Sequence, residues 1–195
     1  MLDMTRIIGG IAGSRKLASP AKATRPTSDR IRESMFSRLD SRGALDGSRV
    51  LDLYAGTGAL ALEAISRGAV LAHMVERDGK AAAVCVANAK SVQKAITEED
   101  FEAETKVINK SVQSFLAAPT ESNFTIVFID PPYEVDNDEV VSNLDALLPI
   151  LNSEAIVAVE RSSRSEKPEF PSKYELVDEK NYGDTVVYWL ELGSS

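Results

Sequence analysis

The sequence predicts an α/β fold: an open, mostly parallel seven-stranded sheet with helices on both faces, preceded by a small basic N-terminal extension. Three observations carry this expectation. From residue 49 onward, short β-rich runs alternate with helical stretches through five strand–helix units. Two consecutive strands then close the chain, which implies a terminal antiparallel hairpin. The first strand also passes into its helix through a glycine-rich turn, Asp52-Leu-Tyr-Ala-Gly-Thr-Gly58.

The elements follow in order. Arg6-Ile-Ile-Gly-Gly10 and the residues up to 24 place three glycines among apolar side chains, the pattern of a short strand or hairpin with tight turns. Thr27 or Ser28 is an N-cap with Asp29 in the first turn, and Ile31, Met35 and Leu39 form the apolar stripe of a helix ending near Gly43. Strands are expected over 49–54, 70–75, 104–108, 124–129 and 155–160, then over 174–177 and 185–192. Helices are expected over 59–67, 78–94, 112–117 and, despite Pro149, 139–151.

At 195 residues the chain is long enough for one well-filled core. No apolar run approaches the roughly 20 residues of a membrane span. The start, Met1-Leu-Asp-Met-Thr-Arg6, lacks a basic-then-apolar leader, so no membrane partner and a cytoplasmic setting are expected. The one cysteine, Cys85, allows no intrachain disulfide, and one Cys with one His makes a metal site unexpected. His73, Cys85 and Trp189 all read as core residues.

The net charge of −8 is unevenly distributed. Residues 1–49 carry ten Lys/Arg against five Asp/Glu, a net of +5, and the remainder twelve against twenty-five, a net of −13. A basic head on an acidic body is the asymmetry of a localised phosphate-binding face. The composition changes near residue 48, which divides the chain into a head, 1–48, and an α/β domain, 49–195.

Two motifs carry chemistry. In the first, Asp52, Tyr54, Gly56 and Gly58 lead from a strand into a helix, with Glu76 about 20 residues on at the end of the second strand. A carboxylate there suits the hydroxyls of a ribose. NAD and S-adenosylmethionine both carry one, so this motif does not separate them. Gly58 is followed by Ala-Leu, which excludes a P-loop. The second motif, Asp130-Pro-Pro-Tyr133, ends the fourth strand. Read by itself it is equally a strand followed by a tight turn. The two prolines have no N–H, so the tip offers acceptors, the Asp130 carboxylate and the Pro131 carbonyl, beside the flat ring of Tyr133. That suits a planar base bearing an exocyclic NH2. Holding both N–H groups favours the pyramidal nitrogen that attacks a sulfonium methyl, whereas hydride transfer has no use for such a tip.

Arg25-Pro-Thr-Ser-Asp-Arg-Ile-Arg-Glu-Ser-Met-Phe36, Asp52-Leu-Tyr-Ala-Gly-Thr-Gly-Ala-Leu60, Glu63-Ala-Ile-Ser-Arg-Gly-Ala69 and Asp130-Pro-Pro-Tyr133 together resemble the RsmD family of bacterial methyltransferases. Arg6-Ile-Ile-Gly-Gly10, Gly13-Ser-Arg-Lys-Leu17 and Tyr182-Gly-Asp-Thr185 extend the resemblance over about residues 5–192. It implies a Rossmann-like S-adenosylmethionine-dependent methyltransferase fold and transfer to the exocyclic N2 of a guanine in small-subunit (16S) rRNA. Its substrate would be that rRNA or the assembling 30S particle, and the protein a monomer. The alternatives are a DNA adenine-N6 or cytosine-N4 methyltransferase and a catalytically idle RNA-binding assembly factor.

By position, the resemblance implies a methionine pocket at Asp52, Tyr54, Gly56 and Gly58, ribose binding by Glu76, and amine binding by Asp130 and Pro131 with Tyr133 stacking. Where the family usually carries an acid near the adenine, this chain has Asn109-Lys-Ser-Val112, leaving Ser111 as the expected adenine contact. The cofactor set is thus Asp52, Tyr54, Gly56, Gly58, Glu76, Ser111 and Asp130. The expected RNA-facing side chains are Arg6, Arg15, Lys16, Arg25, Arg30 and Arg32, with Thr27 reaching cofactor or RNA. Glu160 ends the fifth strand on the same face without an assigned role.

Overall fold

In the computed structural model, which describes residues 5–19 and 28–193, alternating hydrophobicity resolves into seven strands and five α-helices. The helices are α1 (Asp29–Ser41), α2 (Ala59–Ser66), α3 (Gly79–Glu98), α4 (Val112–Ala117) and α5 (Asn137–Leu147). The strands are β1 (Arg49–Asp52), β2 (Leu71–Val75), β3 (Glu104–Ile108), β4 (Phe124–Ile129), β5 (Leu151–Ser162), β6 (Tyr174–Asn181) and β7 (Thr185–Leu192). They form one sheet in the order β3-β2-β1-β4-β5-β7-β6. The pairs among β1 to β5 are parallel, and β7 joins both β5 and β6 antiparallel. The sheet is therefore mixed, and the terminal hairpin enters it with β7 inside and β6 at the edge.

Helix starts follow their caps. Ser28 Oγ accepts from Ile31 N–H at 3.3 Å, Asp78 from Ala81 N–H at 2.8 Å, and Asp136 from Glu139 N–H at 2.9 Å. The expected helix over 139–151 runs instead over α5 and then a 3-10 turn, Leu148–Ile150, with Pro149 at its start, where the missing N–H costs least. β5 and β6 outrun their expected 155–160 and 174–177. Their extra residues, such as Asn152-Ser-Glu154 and Asp178-Glu-Lys180, are polar and at least partly exposed and carry no apolar alternation.

Side chains alternate across the sheet and fill two cores. Val50, Met74, Phe128, Ala158 and Trp189 face the layer made with α1, α2 and α3. Leu51, Val75, Val127, Val159 and Tyr188 face the layer made with α4 and α5. Among the described residues, the head has no core of its own. Ile7, Ala12 and Leu17, together with Ile31, Met35, Phe36 and Leu39 of α1, belong to the first of these cores. The expected hairpin over 6–24 appears within the described residues as a tight loop closed by one antiparallel bridge, Arg6 to Lys16.

Candidate functional site

Strand order reverses between β1 and β4, and the crevice beyond the C-terminal ends of these two strands is where open α/β sheets take ligands. Asp52, the last residue of β1, pairs in register with Met74 of β2 and Phe128 of β4. Glu76 and Asp130 each lie two residues beyond those partners, so alternation directs all three carboxylates to the same face as Val50, Met74 and Phe128. Glu160, two residues beyond Ala158, the partner of Phe128, shares that face. The sequence motifs thus converge on one mouth.

The loop from β1 to α2 is fastened at each step. Gly56 N–H donates to Glu76 Oε2 at 2.9 Å, and Asp78 N–H to Glu76 Oε1 at 2.8 Å. Gly58 N–H donates to the Ala55 carbonyl at 2.7 Å. Glu76 consequently has a fixed carboxylate whose remaining lone pairs can accept two ribose hydroxyls. Gly56 and Gly58 sit at φ +53° and +81°, where a side chain is strained. A Cβ on Gly58 would also lie 2.8 Å from Cys85 Sγ, and one on Gly56 would project into open space.

Asp52 is 1% exposed, and its Oδ1 is buried without a hydrogen-bond partner among the described residues. Burial first, then the neighbouring Asp130 carboxylate, push its pKa from 3.8 up to about 8, against the opposing pull of the Ala61 N–H; Glu76 adds to the rise. An acceptor held dry among like charges favours a cationic ligand. This orphaned oxygen, the open space at Gly56 and the fixed Glu76 carboxylate fit S-adenosylmethionine, which carries an ammonium, a sulfonium and a ribose.

Tyr54 is half-buried, but its hydroxyl is engaged elsewhere: it donates to Glu139 Oε1 at 3.1 Å and accepts from Asn143 Nδ2 at 2.8 Å. Burial and the adjoining Glu139 carboxylate raise its pKa, so it stays a phenol. Gln113 of α4 completes the set by donating to the same Glu139 oxygen at 2.6 Å. Tyr54 therefore braces the pocket against α4 and α5, and only its ring is left to line it. Ser111 is the N-cap of α4; its Oγ accepts from Ser114 N–H at 3.1 Å and lies 2.9 Å from Ser114 Oγ. The Asn109 amide straps the β3 tip to the carbonyls of Glu76 and Arg77 at 2.8 and 3.0 Å.

The tip after β4 has a different construction. Val135 N–H donates to the Pro132 carbonyl at 3.1 Å, closing a turn that leaves Tyr133 78% exposed. From beneath, Arg161 Nη2 donates to the Val135 carbonyl at 2.9 Å. Arg161 is 9% exposed, and the sequence reading passed over it.

Of the expected RNA-facing cations, Arg6, Lys16 and Arg30 are exposed, and Arg15 is half-buried with Nη1 3.2 Å from Ser91 Oγ. Arg25 and Thr27 lie outside the described residues. Arg32 corrects the expectation. Its side chain is fully buried, with Nη2 donating to Asp29 Oδ1 at 2.8 Å and to the Arg6 carbonyl. A guanidinium sealed from solvent offers nothing to a phosphate, so Arg32 supports the head from inside. Glu63, also missed, is 0% exposed on α2 and accepts from Ile8 N–H at 2.7 Å, Gly9 N–H at 2.9 Å and Arg67 Nε at 2.8 Å. A lone acid in an otherwise apolar helix was its visible signal. Among the described residues, no group of three His, Cys, Asp or Glu side chains is placed to hold a metal ion.

The family model described as "Conserved hypothetical protein 95" matches residues 5–191. Ribosomal RNA small subunit methyltransferase D of Escherichia coli (strain K12) is 34% identical over 182 residues, which is 93% of this chain and 86% of the relative. The solved Escherichia coli protein yhhF superposes with a TM-score of 0.81 at 30% identity, covering 97% of this chain and 98% of its own. The rRNA methyltransferase aviRa of Streptomyces viridochromogenes shares the fold at a TM-score of 0.66 and 16% identity, covering 88% and 87%. With the motifs converging on one mouth and the match running through head and sheet alike, the chain belongs to the RsmD family of methyltransferases.

Proposed function

We propose that the protein transfers the methyl group of S-adenosyl-L-methionine to the exocyclic N2 of a guanine in small-subunit (16S) rRNA. The observation that carries this is the adjacency across the switch point: a buried acidic pocket on β1 and β2, and the Asp130-Pro131 acceptors on β4. The cofactor supplies an activated methyl group on a cationic sulfur. Asp52 faces the positive charge, Glu76 holds the ribose hydroxyls, and Gly56 leaves room for the methionine end. Asp130 and the Pro131 carbonyl accept the two N–H groups of the target amine, which turns the nitrogen lone pair toward the methyl. The N–C bond forms as the S–C bond breaks, and the surplus proton leaves the nitrogen through Asp130 toward solvent. Tyr133 offers its ring to the base once it is out of its stack.

Residues 1–48 act as the docking element of this reading, with Arg6, Arg15, Lys16 and Arg30 turned to phosphates and Arg25 assigned the same role from its sequence position. Residues 49–195 are the catalytic domain. The protein works as a monomer in the cytoplasm, on free rRNA or the assembling particle. The E. coli relative is named for the small ribosomal subunit, which supports this substrate.

Nucleoside mass spectrometry of rRNA and DNA from cells with and without the protein tests the reading. The expected result is loss of N2-methylguanosine from small-subunit rRNA alone. Loss of N6-methyladenine or N4-methylcytosine from DNA would replace the substrate, and an unchanged nucleoside profile would favour an idle assembly factor.

A further inference from the structure

Asn88 lies on α3, is 3% exposed, and joins two segments far apart in sequence. Its Oδ1 accepts from Ala18 N–H at 2.8 Å. Its Nδ2 donates to the Ala18 carbonyl and to the Thr57 carbonyl, each at 3.0 Å. Both amide hydrogens are thus committed, one to the basic head and one to the glycine loop. Thr57 stands between Gly56 and Gly58, where glycine on either side gives little steric resistance to a peptide flip. A bond to the Thr57 carbonyl fixes the Thr57–Gly58 peptide plane. In a trans peptide the Gly58 N–H then points the opposite way, toward the Ala55 carbonyl it meets at 2.7 Å.

The head reaches Asn88 already anchored at its other end. Ser66 Oγ accepts from Ala12 N–H at 2.8 Å and donates to the Gly9 carbonyl at 2.6 Å, while Glu63 holds Ile8 and Gly9. Both residues belong to α2, the helix that opens at Gly58. Among the described residues, segment 5–19 is thus hydrogen-bonded to α2 and α3, the two helices flanking the cofactor loop, and linked through Asn88 to the loop itself, whereas α1 pairs with the β6–β7 hairpin through Arg38–Asp178 and Arg42–Glu191.

We propose that Asn88 is a positioning residue that makes the shape of the glycine loop depend on the seating of the N-terminal segment, so that docking of RNA on the head and cofactor affinity are coupled. This rests on the cofactor reading above and extends it. By linkage, any strengthening of cofactor binding by docked RNA is matched by an equal strengthening of RNA binding by cofactor.

The test is calorimetric titration of S-adenosylhomocysteine into the full chain, at a temperature where circular dichroism shows every variant folded. Asn88→Ala is expected to weaken binding about three- to tenfold, the worth of a buried hydrogen bond. Asn88→Asp, which keeps the acceptor for Ala18 N–H and loses both donors, to the Thr57 and Ala18 carbonyls, is expected to do the same and stands in if the alanine variant does not fold. Ser66→Ala, which touches the head and not the loop, is expected to weaken binding in the wild-type background and to add nothing in the Asn88 variant background. An Asn88 variant with a lower Tm but an unchanged Kd would overturn the proposal, as would a Ser66→Ala loss that persists in full without Asn88. A wild-type protein that binds no S-adenosylhomocysteine would bring down the cofactor reading itself, and this inference with it.

Discussion

Gly56, Thr57 and Gly58, on the β1 side of the switch point, are each held by a hydrogen bond to Glu76, Asn88 or Ala55, whereas Tyr133, on the β4 side, is 78% exposed. In the tip loop, Val135 N–H closes a turn on the Pro132 carbonyl, and Arg161 supports the far end. The difference matches what each side has to receive. A small cofactor is bound most tightly by groups that are already ordered, since no entropy is then lost in arranging them. A base drawn from a folded RNA arrives on a bulky polymer and needs an accessible flat surface more than a closed cavity. Of the head cations, Arg6, Lys16 and Arg30 are exposed as well.

The sharpest way to separate the halves is Asp130→Ala. Losing the acceptor that positions the amine is expected to lower kcat by about 10²–10³-fold or more. S-adenosylhomocysteine affinity should change far less, because the ribose and loop contacts proposed for it lie beyond the ends of β1 and β2. Retained turnover would break the assignment of the tip to the substrate half. Glu76→Ala is the reciprocal experiment. It removes the ribose acceptor and also frees Gly56 N–H and Asp78 N–H, so cofactor affinity is expected to fall by about 1.5–3 kcal/mol. An unchanged titration would mean that the loop is set by something other than this carboxylate.

A third comparison divides the head itself. Arg6→Gln and Lys16→Gln are each expected to reduce the slope of log affinity for RNA against log salt by about 1, as for the loss of one phosphate contact. Arg32→Gln should leave that slope alone and lower the melting temperature instead, since Arg32 is buried on Asp29 and the Arg6 carbonyl. Equal slopes for all three variants would place the RNA elsewhere.

Arg32 also shows where the sequence was legible and where it was not. The stripe Ile31, Met35, Leu39 located the buried face of α1, but Phe36 is buried too. That widens the face by one residue position, and Arg32 lies under the width, one turn before Phe36. An apolar stripe gives the centre of a buried face and not its margin when a second segment, here residues 5–19, covers the flank. Asp52, Glu76 and Asp130 were readable because each ends a strand with a clear apolar pattern, which fixes both position and facing. Ser111 was read by position after β3, and its hydroxyl proved to be engaged as a helix cap. Asn88 and Arg161 gave little warning because their partners are backbone groups 26 to 70 residues distant in the chain. Such bonds leave no periodicity for a sequence pattern to register.

The smallest effect expected, and the one that tests the electrostatics of the cofactor half directly, is the pH dependence of Asp52. With its pKa raised from 3.8 to about 8, the folded, ligand-free protein keeps a proton across that interval that the unfolded chain has released. The folded state binds more protons there, so this group's contribution to stability is complete below about pH 4 and is lost as pH rises toward 8. A cationic cofactor favours the carboxylate and removes this excess proton from the folded state. Its binding should release a proton at neutral pH and tighten as pH increases to about 8. Asp52→Asn keeps the shape and removes the titration. The difference in melting temperature between wild type and Asp52→Asn is therefore expected to drift against the wild type from pH 5 to pH 8 without ligand, and to stay nearly level with saturating S-adenosylmethionine, where folded and unfolded states alike carry the carboxylate. A difference that stays constant with pH in both series would show that Asp52 is ionised before the cofactor arrives, and that the β1 side is set in charge as well as in shape.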